Sequence, residues 1–277
     1  MASLLGAAEI REIAARIGVS PTKKLGQNFV VDANTCRRIV KVADVRSDDV
    51  ALEIGPGLGS LTLALLEIAR SVIAIEIDPR LADELPNTVA AHGFDSENLI
   101  VCNEDALTTE TLPNAPTILV ANLPYNISVP VLLHFLEKFP TIRSGVVMVQ
   151  SEVADRLVAT PGSKSYGSPS VKATWWADLS AAGNVARQVF WPIPNVDSSL
   201  VRFVRHSAAG EERNRLLTFA VIDAAFAQRR KMLRGALSQL FDGGASAALT
   251  RAGIDPTVRG ETLLLRDFIA IANTLAP

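Results

Sequence analysis

The chain has 277 residues, of which 48% are hydrophobic and 20% charged, enough apolar material to bury an α/β core with length left for a second small domain. No run is long and apolar enough to span a bilayer, Glu9 and Glu12 make the first stretch unlike an acid-poor transit peptide, and Cys36 and Cys102 lie too far apart for a disulfide framework or zinc-ligand spacing, so a cytoplasmic protein without metal is expected. A net charge of −2 does not advertise a nucleic-acid binder, so any such partner must be met by a local cluster of cations.

In chain order, a helix-like stretch from Ala7 to Ile17 is followed by a loop containing Pro21 and a second helical pattern from Ala33 to Val42. Val50 to Ile54 reads as a short buried strand, Gly55-Pro56-Gly57-Leu58-Gly59 as a turn, and Ser60 to Ala69 as a helix. Strand, glycine turn and helix form a nucleotide-binding layout. Gly55 and Gly57 let the backbone approach a ligand closely, while Ser60 is placed to cap a helix whose first N–H groups favour an electronegative group. The next apolar strand, Ser71 to Ile77, holds Glu76 19 residues after Gly57, close to the usual distance for a carboxylate that accepts from ribose hydroxyls. That spacing suits both a nicotinamide dinucleotide and S-adenosylmethionine. A third strand, Leu99 to Cys102, runs into Asn103, Glu104, Asp105 and Ala106, where an acceptor can meet the adenine amine of a cofactor. None of His92, His134 and His206 stands in a hydride-handling context, which favours the methyl donor.

The fourth strand, Thr117 to Ala121, leads directly into Asn122-Leu123-Pro124-Tyr125. An exocyclic adenine amine is conjugated with its ring, so its lone pair becomes a useful nucleophile only when acceptors hold the nitrogen in a more tetrahedral geometry. Asn122 offers a side-chain carbonyl. Pro124 restricts Leu123 to an extended conformation, in which the Leu123 carbonyl can face the same amine, and Tyr125 offers a ring to stack on the base. The same residues also suit a plain strand end, with Asn122 capping a turn and Tyr125 packed in the core.

Val146 to Gln150 reads as a fifth strand, Trp175 and Trp176 as the end of a helix, and Ser199 to Val204 as a late strand beside the sheet. Alternating strands and helices up to about Glu152 predict a parallel sheet with helices on both faces. From Glu211 onward only helical patterns follow: Glu211 to Ala227, Arg230 to Phe241, Ala245 to Ala252 and Leu265 to Leu275. The expected division is therefore residues 1–207 and a helical segment over 208–277. That tail carries nine Lys and Arg against seven Asp and Glu, and Arg229, Arg230, Lys231 and Arg234 are spaced to form a phosphate-binding patch or, equally, a solvated helix end. Lys23 and Lys24 offer a second contact near the cofactor mouth.

Taken together, the order and spacing of these motifs resemble the small-subunit ribosomal RNA adenine dimethyltransferases of the KsgA type over nearly the whole chain. The likeness extends to Leu25-Gly26-Gln27-Asn28-Phe29, Asn126-Ile127-Ser128, Ser165-Tyr166-Gly167, Pro192 to Ser199, and Ala225 to Lys231. It implies a Rossmann-like S-adenosylmethionine-dependent methyltransferase sheet with a small C-terminal all-helical domain that recognises RNA. The resemblance also places cofactor contacts on Asn28, Val30, Gly55, Glu76, Asp105 and Asn122, with Val30 standing where Leu is commoner in the family, and makes Phe190 the second face of a base sandwich with Tyr125. The implied reaction puts two methyl groups on N6 of each of two adjacent adenosines in a hairpin loop near the 3′ end of small-subunit rRNA, within a 30S-type precursor, by a monomer. Other readings are a large-subunit rRNA adenine methyltransferase, against which Gln228 to Lys231 and Asn195 to Ser199 argue, a non-catalytic RNA-binding factor, and a nicotinamide oxidoreductase.

Overall fold

The computed structural model describes residues 4–21, 28–241 and 244–275. In chain order the elements are α1 (Ala7–Arg16), β1 (Phe29–Val30), α2 (Ala33–Ala43), β2 (Val50–Ile54), α3 (Ser60–Leu66), β3 (Ser71–Ile75), α4 (Pro79–Ala91), β4 (Leu99–Cys102), β5 (Ile118–Asn122), α5 (Ser128–Lys138), β6 (Ser144–Gln150), α6 (Ser151–Leu157), α7 (Ser168–Ala173), β7 (Ala177–Val185), β8 (Phe190–Trp191), β9 (Ser198–Arg205), α8 (Glu212–Ala227), α9 (Leu233–Ala236), α10 (Ala245–Arg251) and α11 (Leu265–Asn273).

Seven strands form one sheet in the order β4-β3-β2-β5-β6-β9-β7. β2 to β6 run parallel, and β9 joins β6 antiparallel with Ser144 opposite Val204 and Gln150 opposite Ser198. Side chains alternate between the two faces of a strand, yet all five residues of β2 are buried, so both faces are covered, as expected for parallel strands linked by helices. The strand order reverses beside β2, whose neighbours are β3 and β5. Their carboxyl ends thus border one crevice, where open α/β sheets bind ligands. Separately, β1 and β8 make a two-stranded antiparallel pair, with Phe29 opposite Trp191 and Val30 opposite Phe190.

Helix ends follow their local chemistry. Asp32 caps α2 by accepting the Thr35 N–H at 2.8 Å, and Asp78 caps α4, which begins at Pro79. Ser60 is not the cap expected from the sequence: it is already helical, and Gly59, in a left-handed conformation at φ 99°, occupies that position. The strand expected over Ser71 to Ile77 ends at Ile75, which leaves Glu76 in the turn that follows.

The chain divides into two compact units, one made from residues 1–154 and 180–205, the other from 155–179 and 206–277. The expected division after residue 207 left 155–179 with the sheet. That segment instead packs with the helical tail: the edges of Trp175 and Trp176 meet the Phe219 ring at 5.9 and 5.5 Å, the Tyr166 hydroxyl donates to the Leu263 carbonyl at 2.8 Å, and Lys172 pairs with Asp223 at 2.7 Å. In the same unit, the single helix expected from Arg230 to Phe241 is broken. The N–H groups of Leu233 and Arg234 donate to the carbonyls of Val258 and Pro256, so only Leu233–Ala236 is α-helical.

Candidate functional site

A cleft opens at the carboxyl ends of β2, β3 and β5 and is walled on one side by β1. Asn28, Val30, Gly55, Gly57, Glu76, Asp105 and Asn122, expected at separate places along the sequence, all line it. The turn after β2 follows the strand because its glycines reach conformations closed to other residues: Gly55 and Gly57 have φ of 69° and 58°. Gly57 is doubly constrained. A Cβ there would stand 2.7 Å from the Phe29 ring, so this turn and β1 fit together only around a glycine.

Glu76 is 6% exposed, and main-chain donors hold both its oxygens: Gly57 N–H at 3.1 Å and Asp78 N–H at 3.0 Å. Burial pushes its carboxyl up from the ordinary value, against the pull of those two donors. Asp105 accepts the Leu107 N–H at 2.9 Å in a tight turn after β4, and Asn103 donates to the Glu76 carbonyl at 2.7 Å, joining the turns that follow β3 and β4.

The tetrapeptide sits at the end of β5. Leu123 continues the ladder by donating its N–H to Met148 at 3.1 Å, in keeping with the extended backbone that Pro124 imposes. Asn122 Nδ2 donates to the Asn28 carbonyl at 3.1 Å. Because a carbonyl only accepts, the amide nitrogen must face Asn28, and Oδ1 is left as the acceptor of this side chain. Tyr125 is half-buried beyond the cleft wall, with its hydroxyl 2.7 Å from Ser198 Oγ and its acidity weakened by burial.

Phe190 departs from the expected sandwich. Its ring is 2% exposed and belongs to the hydrophobic core with Phe29 and Val30, so in this conformation it offers no face to a base. Arg229 departs as well. Its Nε pairs with Glu261 at 2.9 Å and its Nη2 donates to the Ser163 carbonyl at 3.2 Å, so it serves the packing of its own unit, while Arg230, Lys231 and Arg234 are exposed. Lys23 and Lys24 lie outside the described residues. Two of the three histidines take structural roles: His134 Nε2 lies 2.7 Å from the Thr109 carbonyl, and His92 lies between Glu9 and the Thr88 carbonyl.

Sequence reasoning missed Glu53 and Ile77 in the cleft wall, while Glu104, named with Asp105 in the turn after β4, lines it too. Glu53 is 1% exposed and accepts the Thr62 hydroxyl at 2.6 Å; burial first, with the nearby Glu76 charge adding to it, pushes its carboxyl up to about 8. Ile77 is an apolar side chain left 53% exposed. Among the described residues, the carboxyl groups of Glu53, Glu76, Glu104 and Asp105 line the cleft, that of Glu53 being the one raised to about 8, and no Lys, Arg or His does. Such a set of acceptors suits a ligand that carries positive charge and donates hydrogen bonds. The described residues hold no group of three side chains able to bind a metal, and no helix among them is long and apolar enough to cross a membrane.

Comparison with known proteins gives a consistent picture. Residues 19–277 match the family model described as ribosomal RNA adenine dimethylase. The chain is 58% identical over 273 residues to the ribosomal RNA small subunit methyltransferase A of Leifsonia xyli subsp. xyli, covering 97% of this chain and 98% of that one. To the protein of the same name from Kineococcus radiotolerans it is 58% identical over 275 residues, covering 98% and 92%. Among solved structures it is similar to a dimethyladenosine transferase from Plasmodium falciparum, with a TM-score of 0.70 at 25% identity over 87% of this chain and 94% of that one. It is also similar to the 23S rRNA methyltransferase ErmE, with a TM-score of 0.66 at 28% identity over 90% and 100%.

Proposed function

The chain belongs to the ribosomal RNA adenine dimethylase family, and from that premise we propose that it dimethylates N6 of two adjacent adenosines near the 3′ end of small-subunit rRNA, with S-adenosylmethionine as methyl donor. The small-subunit target is favoured over the large-subunit one by likeness: 58% identity to proteins named for the small subunit against 28% to ErmE. The observation that carries the cofactor reading is the cleft itself, where the carboxyl groups of Glu76 and Asp105 and the side chain of Asn122 meet around a glycine turn.

The residues present fit the donor. Glu76, fixed by two main-chain N–H groups, accepts from ribose hydroxyls, Asp105 accepts from the adenine amine, and Ile77 gives the ring an apolar face. When bound, S-adenosylmethionine supplies a methyl group activated by a sulfonium and leaves as a neutral thioether. Asn122 Oδ1 and the Leu123 carbonyl accept the N6 hydrogens of the target adenine, which turns the nitrogen lone pair out of conjugation and toward the methyl group. Methylation makes N6 cationic, so it loses its proton readily to water and no residue is needed as a general base. One N–H remains after the first transfer. A single acceptor can still hold it, which permits the second.

A base inside a stacked helix is out of reach, so the target must lie in a loop or be flipped out, and Tyr125 is assigned the exposed face of that base. Phe190 joins it as a sandwich partner only if the β1–β8 pair moves. The helical unit, through Arg230, Lys231 and Arg234, is assigned to rRNA phosphates of a 30S-type precursor, with Lys23 and Lys24 as further contacts, and the protein acts as a monomer in the cytoplasm. The test is to incubate the protein with labelled methyl donor and undermodified small-subunit particles and map the product. Label confined to the two adjacent adenosines supports the reading, and label in large-subunit RNA alone removes it.

A further inference from the structure

One side chain outside the cleft links the turn after β3 to the end of α1. Arg80 Nη1 donates to the Gly18 carbonyl at 2.8 Å, 62 residues away, while Nε and Nη2 donate to the two carboxylate oxygens of Asp78 at 3.0 and 2.7 Å. A guanidinium suits this task because its donors form a planar fork, two matching a carboxylate and others reaching elsewhere.

One end of this bridge holds a residue of the cleft, and the other packs with its wall. The Asp78 side chain is 4% exposed, and besides the guanidinium it accepts the Arg80 N–H at 3.1 Å as the cap of α4. The Asp78 main chain is therefore held from both sides, and its N–H is the donor that fixes Glu76 Oε1 at 3.0 Å. At the other end, Gly18 closes α1 in a left-handed conformation, φ 66°, with its N–H on the Ala15 carbonyl at 3.2 Å. Val19, next in sequence, is 4% exposed and sits in the core cluster that contains Phe29 and Val30. Asn28, the neighbour of Phe29, lines the cleft and accepts from Asn122.

We propose that Arg80 is a positioning residue for the cofactor. It fixes the turn that orients Glu76 and pins the end of α1 against it, so that affinity for the adenosine half of the cofactor depends on a side chain that lines no part of the cleft. The inference rests on reading the cleft as the S-adenosylmethionine site. The alternative is that Arg80 merely stabilises the first turn of α4, in which case its loss lowers the melting temperature without acting through Glu76.

Calorimetric titration of S-adenosylmethionine and S-adenosylhomocysteine into wild type, Arg80→Met, Arg80→Lys, Glu76→Gln and the Arg80→Met/Glu76→Gln double variant separates these. Arg80→Met is expected to weaken both compounds by about 5- to 20-fold, and by less than about twofold when Glu76 is already Gln, because two residues acting through one contact are not additive. Arg80→Lys keeps the charge but cannot serve Asp78 and Gly18 together, and falls between wild type and Arg80→Met. With saturating cofactor, turnover by Arg80→Met stays within about twofold of wild type, since the reacting atoms are untouched. Arg80→Met binding like wild type, or its full effect persisting on the Glu76→Gln background, overturns the proposal. Wild type binding neither compound overturns the reading of the cleft instead.

Discussion

Asn122 donates from Nδ2 to the main-chain carbonyl of Asn28 across 3.1 Å, tying the end of β5 to the residue that precedes β1. That single hydrogen bond assigns the two ends of the amide: nitrogen toward the protein, Oδ1 available as acceptor. Replacing Asn122 by Ala is expected to leave cofactor affinity within about tenfold of wild type while lowering methyl transfer by about 10² or more, because orienting the amine acts mainly in the transition state. Single-turnover kinetics beside calorimetry measures both. Near wild-type turnover removes Asn122 from its role.

Glu76 differs in being gripped before any ligand arrives. Its two oxygens are held by Gly57 and Asp78, so Glu76→Ala removes a preorganised charged acceptor and is expected to weaken cofactor binding by about 1.5–3 kcal/mol without changing RNA affinity. Equal calorimetric affinities for variant and wild type place the ribose elsewhere.

Glu53 predicts a pH dependence of stability. Its carboxyl is raised from 4.5 to about 8 in the folded chain, so between those values the folded state holds a proton that the unfolded state has released. Its contribution is complete below pH 4.5 and is lost as pH rises through about 8. Glu53→Gln should flatten the fall in stability over this window by up to about 1.4 kcal/mol per pH unit. Parallel stability profiles for the two proteins in denaturant titrations contradict the assignment.

In the helical unit the basic residues divide by partner. Neutralising Arg230, Lys231 and Arg234 is expected to weaken association with small-subunit particles and flatten its salt dependence, the slope falling by roughly 1 for each phosphate that no longer meets a cation. Arg229→Ala is expected to act differently, costing roughly 1 kcal/mol of stability through its bonds to Glu261 and the Ser163 carbonyl. Salt slopes from filter binding and melting curves distinguish them, and an unaltered slope in the triple variant shows that the cluster faces away from RNA.

What the sequence made legible was the set of strand ends. Short apolar runs bounded by Gly, Pro and acids announce buried parallel strands, and the residues just after β2, β3, β4 and β5 are those that meet in the cleft. β7 stayed hidden because an edge strand with mostly exposed or half-buried residues needs no apolar alternation. The tail misled in another way. Leu233, Ala236 and Leu237 are spaced as in a helix, yet carbonyls at 256 and 258 take the N–H groups that a continuous helix would use. Nor does a run of cations reveal that one of them, Arg229, has its acid 32 residues ahead. Glu53 did leave a signal, a lone charge inside an apolar strand, and its meaning came only with the cleft beside it.

The central claim, that this cleft and tetrapeptide carry adenine N6 through two successive methylations, is tested most directly by mass spectrometry of nuclease-digested small-subunit rRNA after reaction of undermodified particles with the protein and methyl donor. The account predicts N6,N6-dimethyladenosine at both of two adjacent positions in the 3′-terminal hairpin loop, with little product on a short free hairpin. Monomethyladenosine as the sole product, or modification restricted to large-subunit RNA, contradicts it.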